Sequence, residues 1–535
     1  MENTNHLHAS DSPALTPNFF FNEDSFPDFG ITDMAELEYH SGSEEEREAE
    51  EEDDFHYDNQ PQQQQVFDPG AWFDILKHRL SSSPGKINRE SAADGTRELW
   101  ANEIIKLAGA RIIQSQGIEF DLPSLLENPF QLTGGGGDDS GGRDSTGLTE
   151  EEAKNVELME YLLDCAEKVG KGKFDRAAVP LRLCNRLASQ TGNPIQRVGY
   201  YFCSALRQRI EGRGAAEDED DDRKPFDSDA AVTLPDKSAV EFRNRVPFYT
   251  ASQLAAVQIL MDNIAGETRI HVIDLRICSG LPMIALMQAL SSSGDSIEML
   301  RITAIAQDAT EEKFIHGSGR RLAGFARGMG LPFSFNVVRI WEPPSAHKDK
   351  LGLQPKEATV VFSDYALGPM IARPNRLHEM MKLIRSVRPR VMVAIETEAN
   401  HNAPDFGHRF VETLFTAGAY FDCLASCMEG NEAARAAVES WYLNDRIRNV
   451  LVAEGEKRVV RDVKIRVWRK YFARFGMLEI GIRGLALQHA SMVIRESPFA
   501  GSCLVGLDCK SLMIGWKDMP LLSVSAWKFM KAMPQ

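Results

Sequence analysis

The stretch Arg269–Leu290, RIHVIDLRICSGLPMIALMQAL, constrains this chain more than any other. It opens on an apolar run, Ile270-His271-Val272-Ile273, that ends at Asp274. A run this short, rich in β-branched residues and without strict alternation, predicts a fully buried parallel strand. After a turn around Ser279-Gly280, Leu281 to Leu290 is apolar on most sides and reads as a helix. Strand, glycine-bearing turn and helix make the first half of a βαβ unit, where an α/β fold places a nucleotide.

Whether this turn can hold one is a question of backbone access. A dinucleotide or S-adenosylmethionine loop needs several glycines, so that the chain turns tightly and meets the ligand closely. Only Gly280 is present, while Arg276, Ile277, Cys278 and Ser279 bring side chains into the approach. Pro282 also removes a backbone donor near the helix start. The reading is a cofactor scaffold whose loop no longer suits a cofactor, hence no cofactor and no catalytic residues. The alternative is an S-adenosylmethionine-dependent small-molecule methyltransferase. It would use the carboxylates at the strand ends (Asp274, Asp308, Asp364, Glu396 and Glu398), with Glu396 or His401 as base. The same carboxylates can instead cap loops or pair with arginines such as Arg276.

The formal charge of −18 is concentrated at one end: residues 1–60 hold 18 Asp and Glu against Arg47 alone. That composition leaves no core to bury and predicts a disordered acidic tail over 1–68. Phe19, Phe20, Phe21, Phe26, Phe29 and Phe55 are scattered among its carboxylates. Such mixing suits an activation or partner-docking segment, and equally a solubilising tail. No apolar run approaches the ~18 residues that cross a bilayer, and the basic-then-apolar order of a signal peptide is missing. A soluble intracellular protein without membrane contacts is expected. The eight cysteines lack paired C-x₂-C spacing, so buried reduced thiols are expected rather than zinc.

Residues 69–131 regain helical periodicity, and 132–148, rich in Gly, Ser and Asp, read as a linker. The main domain is expected over 149–530. It opens on the capping box Thr149-Glu150-Glu151-Glu152, followed by Leu158, Leu162, Cys165 and Val169 on one helical face. Further helices are expected at 174–189, 194–210 and 239–264, making 149–264 a mainly helical cap. From 265 to 530 strands alternate with helices, with candidates at 270–275, 299–306, 332–340, 358–364 and 389–396. Short strands near 511–516 and 522–527 close an antiparallel edge. This order predicts a Rossmann-like, mostly parallel sheet of the S-adenosylmethionine-methyltransferase type under a helical cap.

At this point several ordered blocks resemble the plant GRAS-domain family over about residues 150–530. Leu158 to Leu187, with Cys165-Ala166-Glu167, resembles its first leucine-rich region, and Gln196 to Ile210 the segment that follows. His271-Val272-Ile273-Asp274 stands at the family's namesake strand, and Leu300 to Thr303 at the next. Glu396 to Asn402 with Arg409-Phe410, then Arg446-Ile447, Trp468-Arg469, Gly515-Trp516 and Ser525-Ala526-Trp527, resemble the later blocks. Pro282-Met283 replaces the usual Gln-Trp. The tail shows neither degradation motif of the DELLA members, Asp33 to Leu37 being a faint echo, so a non-DELLA or divergent branch is implied.

The resemblance implies a nuclear transcriptional regulator on a methyltransferase-like scaffold. Expected partners are DNA-binding transcription factors, other GRAS chains in homo- or heterodimers, and promoter DNA as a second form. Candidate partner contacts are Leu158, Leu162, Val169, His271 and Asp274. For DNA, Lys457–Phe475 reads as one helix, with Val460, Val463, Val467, Tyr471 and Phe475 on one side. Arg458, Arg461, Arg466 and Arg469 then fall on the other side, where phosphates would bind in a salt-dependent way. A solvated face answering acidic neighbours is the competing reading. Trp516 and Trp527 are expected as core anchors whose N–H groups find internal acceptors.

Overall fold

The computed structural model describes residues 71–81, 99–117, 148–212, 236–277, 280–294, 296–306, 309–340 and 344–530. The expected tail, the linker at 132–147, and Asp308, Cys278 and Ser279 lie outside the described residues. Nine strands form one sheet: β1 (Arg269–Asp274), β2 (Met299–Ala306), β3 (Phe333–Arg339), β4 (Ala358–Asp364), β5 (Met392–Thr397), β6 (Met477–Glu479), β7 (Cys503–Asp508), β8 (Ser511–Trp516) and β9 (Met519–Phe529). Their order is β3-β2-β1-β4-β5-β9-β8-β7, with β6 also paired to β9. The first five are parallel. From β9 outward every pairing is antiparallel.

The central strands carry apolar side chains on both faces because both faces are covered. Ile270 and Val272 of β1 join one core, and Ile273 joins a second core on the opposite face. The same division separates Val360 from Val361 on β4 and Val393 from Met392 on β5. Each such side chain stabilises the fold by about 1.5–3 kcal/mol through burial, which fixes the register against a one-residue slip.

The helices are α1 (Ala71–Ser81), α2 (Ala101–Ser115), α3 (Glu150–Gly170), α4 (Phe174–Leu187), α5 (Pro194–Gly212), α6 (Asp236–Arg245), α7 (Pro247–Ile264), α8 (Leu281–Ser292), α9 (Ala309–Gly328), α10 (Pro374–Val387), α11 (Phe406–Cys427), α12 (Glu432–Ala437), α13 (Asn444–Leu451), α14 (Ile465–Ala473) and α15 (Gly484–Glu496). The predicted capping box forms: Thr149 Oγ1 accepts from Glu152 N at 3.1 Å, and Glu152 Oε2 accepts from Thr149 N at 2.9 Å. The single helix expected over 239–264 is two, because Pro247 has no N–H and holds Val246 in an extended conformation. Helices α1 and α2 join the same core as α3–α5 and α11, Trp72 lying 6.2 Å from Phe410 between ring centres.

Leu158, Leu162 and Val169, expected as partner contacts, lie in that interior. Gly199 of α5 sits against Leu158. These side chains hold the cap together and are not available at its surface. Trp516 and Trp527 are core anchors with satisfied N–H groups, donating to Asp422 Oδ2 at 2.7 Å and Ser525 Oγ at 2.9 Å. Strands β6 and β7 have no counterpart among the expected strands.

Candidate functional site at the carboxyl ends of the strands

Strands β1 and β4 are neighbours whose connections run to opposite sides, toward β2 and toward β5. That is the switch point at which open α/β sheets bind ligands. Two carboxylates stand there, Asp274 ending β1 and Asp364 ending β4, with Glu396 near the end of β5.

Each carboxylate is engaged by the protein itself. Asp274 Oδ1 accepts from Arg276 N at 3.0 Å, and the Arg276 guanidinium donates to the Tyr365 carbonyl at 2.9 Å. Asp364 Oδ2 accepts from Gln253 Nε2 of α7 at 3.0 Å. Its Oδ1 has no hydrogen-bond partner among the described residues. Glu396 closes a turn, receiving Leu367 N at 2.9 Å and Gly368 N at 3.0 Å. Glu398 Oε2 accepts from Ile465 N, at 3.0 Å, at the start of α14. Capping of loops is therefore what these acids do here.

Burial pushes Asp274 up to about 8, with the Arg276 N–H opposing it. It likewise raises Glu396 to about 8 and Glu398 to about 7, against the backbone donors that hold them. Asp364 is raised by burial, with Arg243, Gln253 and Arg276 pulling the other way. Burial raises all four, and the partners that they have are internal.

The space above them is occupied. Tyr249 of α7 meets Tyr365 edge-on at 6.3 Å, and Phe248 packs on Tyr420 of α11 at 6.1 Å. Gly280 has the left-handed φ of 76° that only glycine adopts freely, but a Cβ built there would lie 3.3 Å from Leu322 of α9. The one glycine of the turn serves helix packing. His271 lies mid-strand and fully buried, with Nε2 2.8 Å from Thr303 Oγ1 and Nδ1 3.2 Å from Arg301 Nη2. Burial and then Arg301 push its pKa down to about 3. Neither His271 nor Asp274 reaches a surface where a partner could touch it.

Beyond β5 lies a small cavity of about 30 Å³, lined by Thr397, His401, Tyr420, Tyr442, Arg446 and Ile447 among others. His401 Nδ1 is 2.8 Å from Asp462 Oδ2, and Arg446 pairs with the same carboxylate. Burial pushes Asp462 up, but Arg446 and His401 outweigh it and hold it below the usual range. The pair has the form of an oriented base. The nearby Thr413 and Thr416 hydroxyls donate to the carbonyls of Arg409 and Glu412 at 2.6 and 2.8 Å, so neither is set up as a nucleophile. Among the described residues no group of His, Cys, Asp and Glu could hold a metal ion.

With this architecture in view, comparison with known proteins is decisive. Residues 158–528 match the GRAS domain family. The chain belongs to the GRAS domain family. It is similar to DELLA protein RGL1 of Arabidopsis thaliana, 28% identical over 382 residues that cover 71% of each chain. DELLA protein 2 of Medicago truncatula is 28% identical over 389 residues, 72% of this chain and 70% of that protein. The crystal structure of SCL7 in Oryza sativa shares the fold with a TM-score of 0.61 at 24% identity, covering 69% of this chain and 99% of that one.

The basic helix expected over Lys457–Phe475 does not form in this GRAS protein. Gly455–Lys457 is a single 3₁₀ turn, 458–464 runs extended, and only Ile465–Ala473 is helical. Asn449 causes the break: its Oδ1 accepts from both Val459 N and Val460 N at 2.7 Å, holding the backbone away from helical pairing. The strand-like stretch turns Arg458 and Arg461 inward, 5% and 2% exposed. Arg458 donates to the His401 carbonyl at 3.0 Å. Arg461 donates to the carbonyls of Arg458 and Gly455, both at 2.8 Å. Arg469 pairs with Glu479 at 2.9 Å and Asp508 at 3.2 Å. Of the four arginines expected to meet DNA, only Arg466 is exposed. Val460 and Val463 are nonetheless buried, on opposite sides of the extended stretch, because both of its sides are covered.

Sequence reasoning missed Tyr249 and Gln253, which cover the switch point from α7. Their signal was Pro247, which starts a new helix in front of the strand ends.

Proposed function

We propose that this protein is a nuclear transcriptional regulator that works through its surfaces, assembling DNA-binding factors or other GRAS chains at promoters, and that it is not an enzyme. The observation that carries the reading is the filled switch point. Gln253 and Tyr249 stand where a nucleotide would lie, and Leu322 closes over Gly280. Membership of a family whose relatives here include DELLA proteins supports the regulatory class. Among the described residues no helix is long and apolar enough to cross a membrane.

Titrating the full chain with S-adenosylmethionine by calorimetry tests the non-catalytic half. No heat and no shift in melting midpoint are expected, whereas a micromolar dissociation constant would restore the methyltransferase reading. Proximity labelling from the full chain in plant cells tests the other half. Labelled DNA-binding proteins and GRAS chains in the nucleus are expected, and labelling restricted to other compartments would overturn it.

A further inference from the structure

Helix α9 carries a basic face that nothing in the described residues answers. From Lys313 to Gly328 it reads KFIHGSGRRLAGFARG, without one Asp or Glu. Ile315, Ser318, Leu322 and Ala326 face the sheet and are buried. Lys313, Arg320, Arg321 and Arg327 are exposed on the outer side, around Phe314, which is 56% exposed. Spacings of seven between Lys313, Arg320 and Arg327 set them in one row along the helix. Arg321 donates to the neutral Ser318 Oγ at 2.9 Å. Lys313, Arg320 and Arg327 have no carboxylate partner among the described residues. Lys154, Lys168 and Lys171, by contrast, each meet an acid one turn away.

The glycines of α9 point the same way. A glycine inside a helix costs about 0.5–1 kcal/mol relative to alanine. At Gly319 the cost is offset internally, since a Cβ there would fall 2.4 Å from the Phe335 ring. At Gly324 nothing lies within 4 Å, and at Gly317 only the guanidinium ends of Arg320 and Arg321 come as near as 3.8 Å. These two glycines leave the outer backbone open between the cations, with no packing among the described residues to account for them.

We propose that this face is the docking surface for the protein's own N-terminal segment, residues 1–60. The segment has the complementary chemistry: 18 carboxylates against one arginine, with six phenylalanines interspersed to meet Phe314 and the bare helix backbone. The acidic run at 44–54 lies 17 residues before Ala71, where the described chain begins, and 17 residues reach roughly 55 Å when extended. Tethering sets an effective concentration on the order of millimolar, so a contact too weak to form between separate molecules holds within one. Docked there, the segment shields the outer face of α9 from nucleic acid and from acidic partners, and its release exposes face and segment together.

The test is zero-length carbodiimide cross-linking of the full chain, read by mass spectrometry, with isotopically light and heavy chains mixed. Lys313 is expected to join carboxylates within residues 1–60 of its own chain at about 0.05 M salt, and to stop at about 0.5 M. In Arg320→Glu/Arg321→Glu/Arg327→Glu, which keeps Lys313, the yield should fall about tenfold, with a smaller fall in the Gln counterparts. Melting midpoints of both variants serve as the folding control. Absence of tail cross-links at low salt overturns the proposal, as does a yield unchanged by charge reversal. Mixed light–heavy products alone would assign the face to a second copy. Duplex DNA bound by the full chain through these arginines, with no tail cross-link, would assign it to nucleic acid.

Discussion

Two segments of this protein look alike on paper and behave oppositely. Residues 457–475 and helix α9 each carry a row of cations interleaved with apolar residues. In the first, two of the cations turn inward: Arg458 and Arg461 are buried under backbone carbonyls, beside Arg409 and Arg209, which share Glu454 at 2.6 and 2.7 Å. In the second they turn outward and meet no acid among the described residues. The difference lies in what surrounds each segment. Asn449, His401 and Gly455 supply acceptors that draw the first inside, while α9 lies over β3, at the edge of the sheet, with no acid among the described residues to pair its outer cations. Charge counted along a sequence says little until the acceptors are known.

The sharpest way to break the comparison is to remove an inward cation. Arg409 is 1% exposed and donates to the carbonyls of Val450, Ala403 and Pro404 as well as to Glu454. Arg409→Ala strands the three carbonyls, leaves Glu454 to Arg209 alone, and should cost about 3–5 kcal/mol in urea unfolding. Arg320→Ala, its outward counterpart, should stay within about 0.5 kcal/mol of the parent. Equal losses at the two positions would erase the distinction.

The inward acids make a second test, through pH. Asp274 titrates near 8 in the folded chain and near 4 when unfolded. Between those values the folded state keeps a proton that the unfolded state has released, so the contribution to stability is full below about 4 and is lost as pH rises to about 8. Asparagine mimics the protonated acid and can still accept from Arg276 N. Asp274→Asn should therefore flatten the decline and exceed the parent by about 1–3 kcal/mol at pH 8, with little difference at pH 5. Identical slopes for the two proteins would mean the buried acid is ionised throughout. Gln253→Ala leaves Asp364 without its side-chain donor and should cost about 1–2 kcal/mol near neutral pH.

Local rules carried far in this molecule. The five parallel strands follow from their β-branched runs, and the start of α3 from Thr149 and Glu152. What escaped needed contacts distant in sequence. Arg209 meets Glu454 across 245 positions and Arg197 meets Glu439 across 242, separations that no periodicity reveals. The stretch 458–464 misled because valines three apart fit a helical face, and nothing local shows that Asn449 draws the backbone out of helical pairing. Leu158 and Leu162 were legible as a stripe, yet a stripe does not say whether it faces another helix or a partner. The strands β6 and β7 are short or only half apolar, and are held by pairing to β9 and β8.

The smallest expected effect is the most discriminating for the outward face. Gly324 sits in the middle of α9 with no neighbour within 4 Å, and its φ lies outside the left-handed region, so alanine fits without strain. By helix propensity alone, Gly324→Ala should raise stability by about 0.5–1 kcal/mol. If the bare backbone there serves close approach by the acidic segment, the same methyl group should reduce cross-linking from Lys313 while leaving every cation in place. A stabilised helix that cross-links less well separates a surface kept open for contact from one that is merely unoptimised. A stabilised helix that cross-links as before would mean that charge alone draws the segment in and that the glycine plays no part.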